Sequence, residues 1–148
     1  MEVRRITCKQ AWDNPAWKHI EEQYRIDLPN LDFDPDIDTQ DYELLERLGN
    51  FHCVGAFDGD RLVGILSFFE SLHPLKRDFL VARSELLWVD PSIRGKGIAV
   101  ALMKEATAWA KERGCGGFYW CVRYGTRADE IMQRHFGNPA EVNYWQQL

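Results

Sequence analysis

Apolar and polar positions change period several times along the chain, and each change marks an element. Glu2 to Thr7 reads as a first strand. Asn14-Pro15 joins a helix cap to a proline suited to the first helical position, and Trp17, Ile20, Tyr24 and Leu28 then mark one face of a first helix. A second helix is predicted from Thr39 to Leu48, ended by Gly49. Phe51 to Phe57 and Arg61 to Phe69 are strand-like runs on either side of Asp58-Gly59-Asp60, a turn whose glycine supplies the positive dihedral of a hairpin. Phe79 to Val89 continues this meander. Ile98, Leu102, Ala106, Trp109 and Ala110 then recur at helical spacing, with Lys104, Glu105, Lys111 and Glu112 on the other face and a stop at Gly114. Gly117 to Val122 reads as a buried strand, Thr126 to His135 as a last helix, and Ala140 to Gln147 as a closing strand.

This mixture of strands and helices, in 148 residues of which 45% are apolar and 13% aromatic, predicts one α/β domain over residues 1–148 with one core. No internal repeat, low-complexity tract or linker divides it. No run approaches the roughly 20 apolar residues of a membrane span, and the opening Met1-Glu2-Val3-Arg4-Arg5 lacks the apolar region of a signal peptide. The expectation is a cytoplasmic protein without a membrane partner. A net charge of −5 disfavours direct nucleic-acid binding, which wants a basic surface. Cys8, Cys53, Cys115 and Cys121 form no Cys-x-x-Cys pair, so they read as buried reduced thiols rather than metal ligands. Asp32, Asp34, Asp36, Asp38 and Glu43 follow the spacing of an EF-hand loop, but Ile37 stands where that loop needs glycine and Pro35 stiffens the chain beside it. No metal is expected.

The chemistry concentrates between Glu85 and Ala99. There a strand passes through a turn and a glycine-rich loop, Arg94-Gly95-Lys96-Gly97, into the helix that starts at Ile98. Such a junction leaves backbone N–H groups unpaired and pointing one way, with two cationic side chains beside them, and so suits a pyrophosphate. The Walker A loop does not fit, because Lys96 lies between the glycines and no Ser or Thr follows Gly97. A Rossmann fingerprint does not fit either, lacking the third small residue near a first strand and the acidic residue about 20 positions on.

Arg94, Gly97 and Ala99 fill the three fixed positions of Gln/Arg-x-x-Gly-x-Gly/Ala, and the segment resembles the acetyl-CoA motif of the GNAT superfamily of N-acetyltransferases. Leu87-Trp88-Val89-Asp90-Pro91 resembles the family strand whose backbone pairs with the pantetheine arm, and the order of elements is similar over nearly the whole chain. The resemblance implies a mixed, mostly antiparallel sheet of six to seven strands flanked by about four helices, with central strands splayed apart to admit the cofactor. It implies acetyl-CoA bound by Leu87, Trp88 and Val89 and by Arg94, Gly95, Lys96, Gly97, Ile98 and Ala99. The implied reaction is direct acetyl transfer to a small-molecule or peptide amine. Many members of the family dimerise, which leaves monomer and homodimer both open.

An ammonium has no lone pair, so an N-acetyltransferase needs a group that takes a proton from the acceptor. Glu85 is the candidate base, since strand alternation puts it on the face of Leu87 and Val89. Many relatives place a tyrosine in the last helix as the acid for the departing thiolate. This chain has Met132-Gln133-Arg134-His135-Phe136-Gly137 there, which leaves Tyr124, His135 and Tyr144 as substitutes. Cys121, as a nucleophile for a covalent route, has no histidine beside it in sequence. For the acceptor, residues 27–38 carry five Asp, and Asp32 and Asp34 with His73 are the candidate contacts for a cationic amine. The missing tyrosine also leaves open a GNAT-like module that binds CoA or a protein partner without turnover.

Overall fold

The computed structural model describes residues 1–27 and 38–141. The elements are β1 (Glu2–Ile6), α1 (Cys8–Trp12), α2 (Trp17–Asp27), α3 (Thr39–Arg47), β2 (Phe51–Asp58), β3 (Arg61–Leu72), β4 (Leu80–Val89), a 3-10 turn (Pro91–Ile93), α4 (Ile98–Glu112), β5 (Gly117–Tyr119) and α5 (Arg127–Phe136). One sheet holds the five strands in chain order, β1 to β4 antiparallel and β5 parallel to β4. The mixed α/β class expected from the sequence is therefore found, with five strands among the described residues rather than six to seven, and five α-helices rather than about four. The closing strand expected at 140–147 lies almost wholly outside the described residues, as do Asp32, Asp34 and Tyr144; Ala140 and Glu141 are not in a strand.

Helix α1 was not expected. Thr7 Oγ1 accepts from Gln10 N–H at 3.1 Å while Gln10 Oε1 accepts from Thr7 N–H at 2.8 Å, a reciprocal capping box that starts a helix where the sequence pattern marked no element. The next helix begins at Trp17, two residues after Pro15, because Asn14 Oδ1 takes Ala16 N–H at 3.0 Å and its carbonyl takes Trp17 N–H at 2.8 Å. Asp38 caps α3 through Gln40 N–H at 2.9 Å, and Thr126 caps α5 through Asp129 N–H at 3.3 Å.

The sheet divides two apolar layers. On one face α4 buries Ile98, Leu102, Met103, Ala106 and Ala110 against Val54, Leu66 and Phe68. Gly64 allows that approach, since a Cβ there would stand 3.2 Å from Leu102 and 3.3 Å from Ile98. On the other face α1, α2 and α3 cover Phe51, Ile65 and Trp88. Cys8 and Cys53 are buried with sulfurs 3.8 Å apart, and their mutual hydrogen bond and burial push the Cys53 thiol well up. Cys121 departs from the expectation of a buried thiol and is exposed. No helix among the described residues is long and apolar enough to cross a membrane.

Candidate active site

Two irregularities of the sheet build the site. The first is a register shift in the β3–β4 ladder: Ser67 pairs with Leu86 but Phe68 pairs with Ser84, so Glu85 is an extra residue without a ladder partner. Such a bulge bends the strand and re-aims the side chain it carries. Simple alternation would give Glu85 the face of Leu87 and Val89. The bulge takes it out of that count and brings its charge within reach of Tyr24 on α2 and Tyr42 on α3.

The second irregularity lies on the other edge of β4. Its parallel pairing with β5 covers Val81, Ala82 and Arg83 against Gly117, Phe118 and Tyr119, and then ends. Ser84 takes over with its side chain, its Oγ accepting from Cys121 N–H at 2.8 Å and donating to Cys121 O at 3.4 Å. Past this clasp the strands separate, and a cavity of about 720 Å³ opens between β4, the 94–97 loop, the start of α4 and one face of α5.

The floor of this cavity is the anion cradle. Gly95 and Gly97 have φ of +87° and +79°, and a Cβ at either would meet nothing within 4 Å, so the space above them is open to a ligand. No side chain caps α4. Ala101 N–H reaches Gly97 O at 3.0 Å, whereas Ile98, Ala99 and Val100, in the first turn where a helix leaves its N–H groups without intrahelical partners, line the cavity. The positive end of α4 adds to their pull on an anion. Arg94 is fixed beside them, its Nε donating to Val89 O at 2.9 Å and its guanidinium paired with Asp27. Asp90 holds the preceding turn: Oδ1 accepts from Ser92 N–H at 2.9 Å and from Ser92 Oγ at 2.7 Å, and Oδ2 pairs with Arg61.

Of the residues singled out from sequence, Glu85, Leu87, Trp88, Val89, Arg94, Gly95, Gly97, Ile98, Ala99 and His135 all border this cavity. Lys96 is exposed and outside its lining. Tyr124, 89% exposed, and His73 instead border a second cavity of about 950 Å³ against β5, and His73 Nε2 lies 3.0 Å from Tyr119 Oη. The two cavities meet at Cys121, Val122, Arg123 and Met132, with Glu85 lining the first and Tyr124 and His73 the second. Tyr24, Arg123, Arg127 and Met132 line the first cavity without having been singled out for it, and so does Asp27, which the sequence offered only as one of the five Asp of the acceptor segment. Tyr24 was legible on the apolar face of its helix, but nothing in the sequence ties that face to the glycine loop.

Burial raises the Glu85 carboxyl above the ordinary carboxylate range, partly offset by the positive charge of Arg83. The Tyr24 phenol is raised by burial and by Glu85, against the pull of Arg123, so it stays protonated as a donor. Arg83 also donates from Nε to Cys121 Sγ at 3.2 Å.

The Acetyltransferase (GNAT) family model matches residues 14–137. Three solved structures share the fold over almost the whole chain. A ribosomal-protein-alanine N-acetyltransferase from Brucella melitensis biovar Abortus 2308 has a TM-score of 0.73 at 18% identity, covering 99% of this chain and 97% of its own. An aminoglycoside acetyltransferase from an uncultured soil metagenomic sample, in complex with sisomicin, has a TM-score of 0.73 at 17% identity, covering 99% and 95%. A predicted acetyltransferase with acetyl-CoA from Clostridium acetobutylicum has a TM-score of 0.73 at 16% identity, covering 99% and 94%. No curated protein sequence gives a significant match. With the family model matching most of its length around a glycine cradle, a split sheet and an uncapped α4, the chain belongs to the GNAT family of acetyltransferases, which use acetyl-CoA.

Proposed function

We propose that this protein acetylates a cationic amine by direct transfer, with Glu85 as the general base. The observation that carries the reading is the bulge that removes Glu85 from the ladder and sets it in the cavity floored by the glycine loop. When bound, acetyl-CoA supplies a thioester carbonyl carbon for attack by the amine. The N–H groups of Ile98, Ala99 and Val100 and the guanidinium of Arg94 hold the diphosphate. The edge of β4 beyond Arg83, which has no strand partner on that side among the described residues, is open to the amides of the pantetheine arm. Glu85 takes the proton that the ammonium must lose, and Tyr24 and His135, which line the same cavity, would be the groups able to give a proton to the leaving thiolate.

A cationic acceptor agrees with the net charge of −5 and with the carboxylates of Asp27 and Glu85 in one cavity. The structural neighbours named for ribosomal-protein alanine and for aminoglycosides act on such amines. An amine screen with purified protein and acetyl-CoA, scored by free thiol release, tests the reading. Turnover abolished in Glu85→Gln supports it. Firm CoA binding without acetylation of polyamines, aminoglycosides or peptide N-termini would overturn it in favour of a non-catalytic CoA-binding module.

A further inference from the structure

Helix α2 ends on a side chain of the wrong sign for its position. Negative potential accumulates in the last turn of a helix, so a cation is favoured there and a carboxylate disfavoured. Asp27 nevertheless occupies that turn, three residues after Tyr24, on the face that borders the cavity. The guanidinium of Arg94 compensates it: Nη2 pairs with Asp27 Oδ2, and Nη1 lies 3.5 Å from Oδ1. Arg94 is anchored at the same time to the end of β4 through Val89 O. A carboxylate of the chain thereby sits on the arginine of the anion cradle.

Two consequences follow from the charges. A diphosphate entering the cradle brings more negative charge to Arg94 than Asp27 does, and it repels the Asp27 carboxylate. Once the guanidinium has turned to the diphosphate, the last turn of α2 and its carboxylate form a corner that attracts a cation, in the same cavity as Glu85.

We propose that Asp27 is a hand-over residue: it holds Arg94 until the diphosphate of the cofactor takes the guanidinium, and it then receives the ammonium of the acceptor. The cofactor consequently binds first, and an amine arriving early meets a carboxylate already neutralised by Arg94. This rests on the amine-transfer reading above and gives that reading a specificity residue on α2.

Calorimetric titration of CoA into the wild type and Asp27→Asn at low salt tests the first half. Removing a competitor that is about one-third exposed tightens CoA binding by about two- to fivefold. In an Arg94→Gln background the same substitution has a clearly smaller effect, since only the direct repulsion between Asp27 and the diphosphate is relieved. Asp27→Ala, expected to shift in the same direction, guards against an Asn-specific contact. The second half is read with the amine that the screen identifies: in Asp27→Asn its KM rises about fivefold or more with kcat nearly unchanged. Opposite movement of the two affinities is the signature, because local unfolding of the α2 end would weaken both. CoA affinity that is unchanged or weaker in Asp27→Asn overturns the hand-over and leaves the acetyltransferase reading standing. Absence of CoA binding by the wild type removes both.

Discussion

The glycine cradle makes a prediction that separates backbone strain from ligand contact. Gly97 and Gly59 both have positive φ, +79° and +60°, and a Cβ added to either meets nothing within 4 Å. Alanine at either position therefore costs the left-handed penalty of roughly 1–2 kcal/mol and nothing for collision. That is a drop of several °C in Tm for a chain of this length. The two sites differ in place. Gly59 stands in the β2–β3 hairpin, and Gly97 borders the cavity at the first turn of α4. A methyl group at Gly97 occupies space a phosphate oxygen would use and loosens at least one charge-assisted hydrogen bond, worth about 1.5–3 kcal/mol, or roughly ten- to a hundredfold in affinity. Thermal unfolding with and without CoA measures this. At a concentration a hundredfold above its dissociation constant, CoA stabilises the wild type and Gly59→Ala by about 2.7 kcal/mol; a tenfold weaker Gly97→Ala gains about 1.4 kcal/mol at the same concentration. Equal CoA stabilisation of both variants would refute the cradle as the diphosphate site.

Glu85→Gln is expected to lower kcat by about a hundredfold or more while CoA affinity is retained. As base, Glu85 must be ionised, so kcat/KM rises with pH through a value above the ordinary carboxylate range. Arg83→Gln, which removes the charge that lowers that value, moves the rising limb to higher pH, and an unmoved limb would exclude Glu85 as the titrating base. Ser84→Ala deprives Cys121 N–H of its acceptor, which costs about 1–3 kcal/mol in denaturant unfolding and weakens CoA binding if the clasp sets the split. His52, 5% exposed, has Nε2 2.9 Å from Glu70 Oε1 without the alignment of a hydrogen bond, and Arg113 Nε reaches the same oxygen at 2.5 Å. Burial, the largest influence, lowers the His52 pKa, so the unfolded chain binds the proton more readily. Stability is then complete above about pH 6.5 and lost as pH falls through the lower folded value. A Tm that declines less on acidification in His52→Gln than in the wild type is the expected result.

How much of this was legible depended on whether the signal was local. Helix α4 could be read because its buried residues repeat every three or four positions and Gly97 and Gly114 bound it. The hairpin could be read from Asp58-Gly59-Asp60, and the cradle from Arg94 to Ala99, since a backbone with positive φ at two close positions demands glycine. Helix α1 was legible in principle, because Thr7 and Gln10 have the spacing of a capping box, but its five residues are too few to show a helical period. The pairing of Asp27 with Arg94 spans 67 residues and leaves no periodic trace. The same holds for the position of Tyr24 beside Glu85.

The bulge at Glu85 shows how period-two reading brings Glu85 to the cavity by an incomplete route. Period-two alternation assumes an unbroken ladder, and one inserted residue reverses the faces on either side of it. Leu87 and Val89 keep the α4 face after the bulge, and Ala82 keeps it before, although an odd number of positions separates Ala82 from both. The strand must therefore absorb one extra residue between them, and the residue it absorbs is Glu85. A carboxylate is a fitting choice for that position. It has no ladder partner to lose, it is not required by either apolar layer, and it lines the cavity that opens where β4 and β5 part. Deleting the extra residue would restore a continuous ladder and remove the proposed base together, so the irregularity of the sheet and the chemistry proposed for it stand on the same residue.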